Sequence, residues 1–510
     1  MMHGLEKSDP RIVAMKLVNK LGQPGAESVG QRRGAEGNTG EPHTCRTQCR
    51  ESVPQGLDRV RQAAKARKKQ RFTALYHHLT VDLLKEAYFW LKRGAAPGVD
   101  GWTWKEYEQD LEVNVADLHA RVHRGAYRAL PSKRKYIAKS DGRQRPLGIA
   151  ALEDKIVQRA QVEVLNAIYE VDFLGFSYGF RPGRSQHDCL DALAAGICRM
   201  KVNWILDADI RSFFDSVSHE WLVRFLKHRI GDRRVIRLIS KWLKAGVMED
   251  GVVTPTEVGT PQGAVASPLL ANIYLHYVFD LWANRWRKHH AHGQVIIVRY
   301  ADDIVVGFEH EAEAKRFKMD LQQRMEQFAL SLHPDKTRLI EFGRFAAQDR
   351  ARRGLGKPET FNFLGFTHIS GRTRKGGFQL QRKSRRDRLW AKLREIKEAL
   401  WQRMHDTIPE QGKWLAQVVR GYFNYHAVPT NARSLDAFRY HVTELWRRTL
   451  RRRSQKDRTA WDRMTRLVAD YLPAVRILHP WPDDRFAVKH QRWEPSARIV
   501  PARICAGGAG

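Results

Sequence analysis

The sequence predicts an α+β fold followed by a basic helical region, and three observations carry that prediction. Short β-rich runs, WILDADI (204–210) and VIIVRYADDIVVGF (295–308), alternate with longer helical segments such as 267–284 and 311–330. From about residue 378 the composition turns to helices dense in Arg, Lys and Trp, and residues 381–458 carry 20 basic against 8 acidic side chains. The 510-residue chain holds 89 Lys and Arg against 56 Asp and Glu, a net charge of +33. Such an excess predicts a polyanionic partner, because cations that neutralise phosphates release counterions on binding. Nucleic acid is the first candidate and an acidic membrane the second.

Taken in order, residues 1–56 read as a flexible extension, since 22–56 are rich in Gly, Pro, Ser, Thr, Glu and Gln without a hydrophobic period. Seven of the thirteen residues Arg59–Arg71 are basic and none is acidic, which predicts a basic helical arm ahead of the apolar-periodic segment through Leu79, Leu83, Leu84 and Phe89. In the helix expected from about residue 430, Leu435, Phe438, Val442 and Leu445 form an inward stripe, while Arg447, Arg448, Arg451, Arg452 and Arg453 crowd its C-terminal end. Five scattered cysteines do not make a disulfide framework and point to a reducing compartment, the cytosol by default. Cys45 and Cys49 with His43 could form half of a zinc site, but no second pair follows at finger spacing. No stretch is long and apolar enough for a signal peptide or a membrane span.

The sharpest chemical signal is Val295–Phe308, two β-branched runs flanking Ala301-Asp302-Asp303. It predicts a β-hairpin with two carboxylates at its tip. Adjacent ionised acids between apolar strands are costly unless a cation joins them. A second apolar strand, 93 residues earlier, ends in Asp209. Asp207 is two residues back on the same strand face and could substitute, whereas Asp215 with Ser216 and Ser218 suits the cap of the following helix. Three carboxylates from two strands can hold two Mg²⁺ ions about 4 Å apart, the arrangement of a nucleotide polymerase. The candidate metal set is Asp209, Asp302 and Asp303, with Ile210 beside Asp209 added as an expectation.

At these residues the sequence resembles the reverse transcriptase and maturase proteins encoded by bacterial group II introns. The likeness runs from about 80 to 480 and rests on ordered motifs: PGVDG (97–101), YIAKSDGRQRPLGI (136–149), FSYGFRPGRS (176–185), the Asp209 strand, GTPQGAVASPLLANIYL (259–275), YADD (300–303), LSLHPDKT (330–337) and FNFLGF (361–366). It implies a right-hand polymerase: fingers and palm over 57–375, with an antiparallel palm sheet carrying the YADD hairpin. A helical thumb (376–405), a helical maturase domain (406–480) and a short tail (481–510) would follow. The catalytic residues would be Asp209, Asp302 and Asp303. Lys139, Arg145, Gln262 and Lys336 would serve the nucleotide, with Gln262 beginning a helix beneath the nascent base pair. Phe214 would be the aromatic beneath the incoming sugar that excludes a 2′-hydroxyl. FNFLGF would grip the primer, although a buried aromatic hairpin is the alternative. For RNA the candidates are Arg181, Arg184, Arg420, Tyr422, Tyr425, Arg447, Arg448 and Arg451; the GYFNYHAVPTN helix (421–431) reads equally well as an aromatic core helix.

The implied partners are group II intron RNA, a DNA target or primer and deoxynucleoside triphosphates, with no membrane; a homodimer is compatible. About thirty residues follow Pro480, too few for the zinc-bearing His-Asn-His endonuclease that often ends such chains. Three other readings are disfavoured, the first by the intact carboxylates with Gln262 and Lys139, the second by the GYFNYHAVPTN helix and the third by Phe214. They are a splicing factor with a non-polymerising palm, a reverse transcriptase of a defence or retron lineage, and an RNA-dependent RNA polymerase.

Overall fold

The computed structural model describes residues 45–138, 144–453 and 460–485. The first helix, Cys45–Ala66, starts inside the stretch expected to be flexible and ends before Arg67. The basic arm is therefore half helix and half turn, and the remaining extension and His43 lie outside the described residues. Arg229 fixes the turn: its guanidinium donates to the carbonyls of Arg67, Lys68 and Gln70 while pairing with Asp172 at 2.7 Å.

β1 (Ser132–Ala138) and β2 (Gln144–Ile149) form an antiparallel hairpin. β3 (Trp204–Asp209) belongs to a separate central sheet, while the short hairpin of β4 (Val247–Glu249) and β5 (Val252–Thr254) joins β1 in parallel. β6 (Val295–Tyr300) and β7 (Asp303–Phe308) pair antiparallel, and β8 (Arg338–Glu341) completes a central sheet of order β6-β7-β3-β8. β9 (Phe361–Phe363), β10 (Phe366–Arg372) and β11 (Phe378–Ser384) make a third antiparallel sheet. The helical region thus begins at Arg386 rather than near 376, since β11 occupies the interval.

The alternation of the central strands decides what each face meets. Leu206, Ala208, Ile304 and Val306 join the large core with helix Leu152–Asp172, whereas Ile205, Val305 and Val298 join a second core with helix Gln186–Arg199 and Phe361, Phe363 and Phe366. Asp207, Asp209 and Asp303 share the parity of Ile205 and Val305, so they belong to the second face. Helices Arg386–Gln402, Ile408–His426, Ala432–Arg451 and Trp461–Tyr471 share a third core that includes Leu393, Leu400, Val419, Phe438, Trp446 and Met464. The division expected at residue 405 falls inside this one core. Among the described residues no helix is long and apolar enough to cross a membrane.

Candidate active site

The antiparallel register sets Asp209 directly opposite Asp303, and the β6–β7 pairing ends at Tyr300 opposite Asp303. Ala301 and Asp302 therefore form a two-residue turn, with Ala301 in the left-handed region at φ 56°. A right-handed central residue would splay strands of this twist, so the turn takes that conformation although alanine disfavours it. Directly opposed residues have Cβ atoms about 5 Å apart. Asp209 and Asp303 are buried and Asp302 is half-buried.

The LSLHPDKT segment closes over Asp209. Its backbone bridges Ile210 through Leu332, His333 N–H donates to the Asp209 carbonyl at 2.8 Å, and Arg211 N–H donates to Ser331 O at 2.8 Å. This brings Lys336 Nζ within 3.0 Å of Asp209 Oδ2. The lysine expected near the triphosphate is thus an ion-pair partner of a candidate metal ligand. No three His, Cys, Asp or Glu side chains among the described residues converge as a preformed metal cage. Two buried carboxylates held in register, one already drawing an ammonium, are nevertheless a donor set that suits a hard divalent cation completed by substrate oxygens.

Phe214 follows Asp209 through Ser212, a left-handed turn at φ 44°, and is half-buried beside the fully packed Phe213. The GTPQG loop lies against it: Thr260 N–H donates to Phe214 O at 2.7 Å, and a side chain at Gly259 would come within 3.0 Å of that same carbonyl. Gln262 lies in the turn before the helix, which starts at Ser267, where the sequence pattern predicts it and five residues after the start implied by the family resemblance. Its carbonyl accepts from Gly148 N–H at 2.7 Å, joining the turn to β2. Arg145 is placed on β2 opposite Ile137, and Lys139 lies outside the described residues.

Several residues expected to contact RNA are instead committed to the fold. Arg181 is buried, pairs with Glu170 at 3.0 Å and donates to the carbonyls of Leu174 and Ser177. Burial lowers its guanidinium to about 10, still charged at neutral pH. Arg184 donates to Gly175 O at 2.6 Å and lies over Tyr178. Tyr422 is buried with its ring stacked on Phe438 at 3.7 Å, and Tyr425 donates its hydroxyl to Leu364 O at 2.8 Å. The FNFLGF segment is the aromatic hairpin: Phe361, Phe363 and Phe366 are buried and Leu364 and Gly365 make a left-handed turn. By contrast Arg420, Arg448 and Arg451 are exposed, and Arg447 is half-buried over the Trp461 ring at 4.6 Å.

One residue escaped the sequence reading. Arg299, inside the otherwise apolar strand β6, is fully buried and bonded to Asp280, Asn272, Ser177 and the Ala301 carbonyl beside the paired aspartates. The available signal was a lone arginine in a strand covered on both faces, which requires a buried acid elsewhere in the chain.

Residues 137–368 match the family model described as reverse transcriptase (RNA-dependent DNA polymerase). The chain is 34% identical over 280 residues to protein YkfC of Escherichia coli K12, covering 49% of this chain and 73% of that one. It is 35% identical over 222 residues to the group II intron-encoded protein LtrA of Lactococcus lactis, covering 43% of this chain but only 37% of LtrA. A shorter stretch of 92 residues is 27% identical to nuclear intron maturase 1 of Arabidopsis thaliana, covering 18% of this chain and 13% of that protein.

Proposed function

The chain belongs to the reverse transcriptase family, in its group II intron-encoded branch, and from that premise we propose that it copies intron RNA into DNA and binds the same RNA to assist its splicing. The observation that carries the proposal is the opposition of Asp209 and Asp303, with Asp302 at the adjoining turn, inside the residues that match the family model. In this reading the central sheet is the palm, the β1–β2 hairpin belongs to the fingers, and the helices from Arg386 form thumb and maturase regions.

The family works with divalent metal ions, and Mg²⁺ held by Asp209, the Ile210 carbonyl, Asp302 and Asp303 would supply positive charge to the primer 3′-oxygen and the triphosphate. Lys336 gives up Asp209 as the substrate complex forms and turns its ammonium to the triphosphate. Phe214, held by its backbone bond to Thr260, presents its ring to the incoming sugar and disfavours a 2′-hydroxyl. Gln262 meets the nucleotide or template from the turn ahead of helix Ser267–Leu275, and Arg145 with Lys139 reaches the phosphates from the hairpin. The exposed arginines 420, 448 and 451, with Arg447, contact structured RNA through its phosphates.

The test is extension of a DNA primer on an RNA template with Mg²⁺ and deoxynucleotides, comparing the wild type with Asp302→Asn/Asp303→Asn at matched RNA affinity. Extension is expected to fall by at least about 10³-fold, the several kcal/mol of charge stabilisation expected of metal ions, with RNA binding retained. No extension by a folded, RNA-binding wild type would leave the splicing-factor reading in its place.

A further inference from the structure

Every N–H of the buried Arg299 guanidinium is used, and the bonds converge on the turn that carries the two aspartates. Nε and Nη2 donate to Asp280 Oδ1 and Oδ2 at 2.7 and 2.6 Å, and Nη2 also donates to Ser177 Oγ at 2.7 Å. Nη1 donates to Asn272 Oδ1 at 3.0 Å and to the Ala301 carbonyl at 2.9 Å. Burial pushes the Asp280 carboxyl up, but the Arg299 charge and its bonds to Arg299 pull it below the usual carboxylate range. A salt bridge alone would not need a fork shared among four partners.

The other side of the turn is closed as tightly. Asn272 Nδ2 donates to Gly179 O at 2.7 Å, and a side chain at Gly179 would come within 2.3 Å of Ala301 N. Ala301 is therefore held between the Arg299 guanidinium and the Gly179 backbone, in a conformation that costs a non-glycine residue about 1–3 kcal/mol and persists only where its surroundings over-determine it. The strand β6 is bound along the same edge, since Tyr178 N–H donates to Arg299 O and Arg299 N–H to Phe176 O, at 2.8 and 2.9 Å.

We propose that Arg299, with Asp280 and Asn272, is a positioning set for phosphoryl transfer: it fixes the Ala301 carbonyl and the left-handed turn, and through them the directions in which Asp302 and Asp303 present their carboxylates. This rests on the polymerase reading of those aspartates. None of the three residues touches substrate, so their loss changes turnover and metal affinity and leaves nucleotide affinity alone. A misplacement on the 1 Å scale costs about 10²-fold in rate.

The experiment uses the full chain with Asn272→Ala, Arg299→Lys and Gly179→Ala. Asn272→Ala keeps the Arg299–Asp280 pair, and Gly179→Ala perturbs the turn from the opposite side without removing a buried charge. Melting temperature, kcat, deoxynucleotide KM and half-saturating Mg²⁺ are measured well below each melting point. Mn²⁺ binding without nucleic acid is followed by electron paramagnetic resonance. Expected are a fall in kcat of about 10- to 100-fold, KM within about twofold, a raised Mg²⁺ requirement and weakened Mn²⁺ binding in all folded variants. Folded Asn272→Ala and Gly179→Ala with wild-type kcat and Mn²⁺ affinity, whatever their melting points, would reduce Arg299 to a fold element and overturn the proposal. A wild type that fails to extend primers would instead sink the polymerase reading, and the Mn²⁺ comparison would still decide the role of the turn.

Discussion

The central sheet and the C-terminal helices are built from the same residue types used in opposite directions. Around the sheet, arginines point inward: Arg299, Arg181 and Arg229 are buried and spend their N–H groups on carboxylates and loop carbonyls. In the C-terminal helices the exposed arginines at 420, 448 and 451 face outward while the aromatic residues Tyr422, Phe438 and Trp446 fill the interior. A cation in a functional motif is thus no guide to a ligand until its burial is known. The multidentate fork of arginine suits it for pinning loops as well as for gripping phosphates.

This contrast is broken most readily at Arg181. Arg181→Ala should cost about 3 kcal/mol or more, because removing one partner of a buried pair leaves the other unpaired, whereas Arg451→Ala should stay within about 0.5 kcal/mol of wild type. Chemical denaturation of the two variants checks both values. A stable Arg181→Ala protein with weakened RNA binding would return Arg181 to the ligand surface. Tyr422→Ala comes next, with an expected loss of about 3 kcal/mol from the stacked core position, against a neutral effect of Arg420→Ala on stability. Equal melting temperatures for these two would mean that the ring packs in no core.

A smaller, pH-dependent effect is expected at the third sheet. His368 on β10 is fully buried against Phe361, and burial, assisted by the neighbouring Arg382 charge, lowers its imidazole to about 3. Its folded value lies below the ordinary 6.5, so its contribution is present above about pH 6.5 and is lost as pH falls from there toward 3. Between pH 7 and pH 5 the fold should lose about 2 kcal/mol through this group; His368→Gln should flatten that part of the profile, and an unchanged slope would assign the acid sensitivity elsewhere. A change of small effect on stability is Arg448→Gln/Arg451→Gln, both exposed. It should leave melting nearly unchanged while lowering the salt slope of RNA binding by roughly 1.4, about 0.7 for each lost phosphate contact. An unaltered slope in filter binding across salt would take these arginines out of the RNA interface.

Much of the central site was legible because its signals are local. Alternation placed Asp209 on a strand and Asp302 and Asp303 at a hairpin tip, and period-2 geometry assigned Asp207 and Asp209 to one face, as the register has them. The cap of helix His219–Arg229 is Ser218, one of the three residues singled out and not Asp215. Hydrophobic periodicity put the helix start at Ser267, where it is found with Pro268 in its first turn, and the earlier start at Gln262 came only with the family resemblance; Pro261 and Gly263 mark a turn there. The partners of Arg299 could not be paired from sequence, since Ser177 lies 122 residues away. Tyr422 and Tyr425 were open between core and RNA for a related reason, because aromatic residues at helical spacing look alike in either setting.

By itself the sequence determined the strand-borne carboxylates, the basic charge of the chain and the order of its motifs, because these depend on residue type and short-range periodicity. Only the tertiary structure decided which charges face solvent and which are consumed inside. Lys336 against Asp209, Arg181 against Glu170 and Arg299 against Asp280 are pairings across separate elements, and the cost of burying a charge is offset only where folding brings its partner within bonding distance.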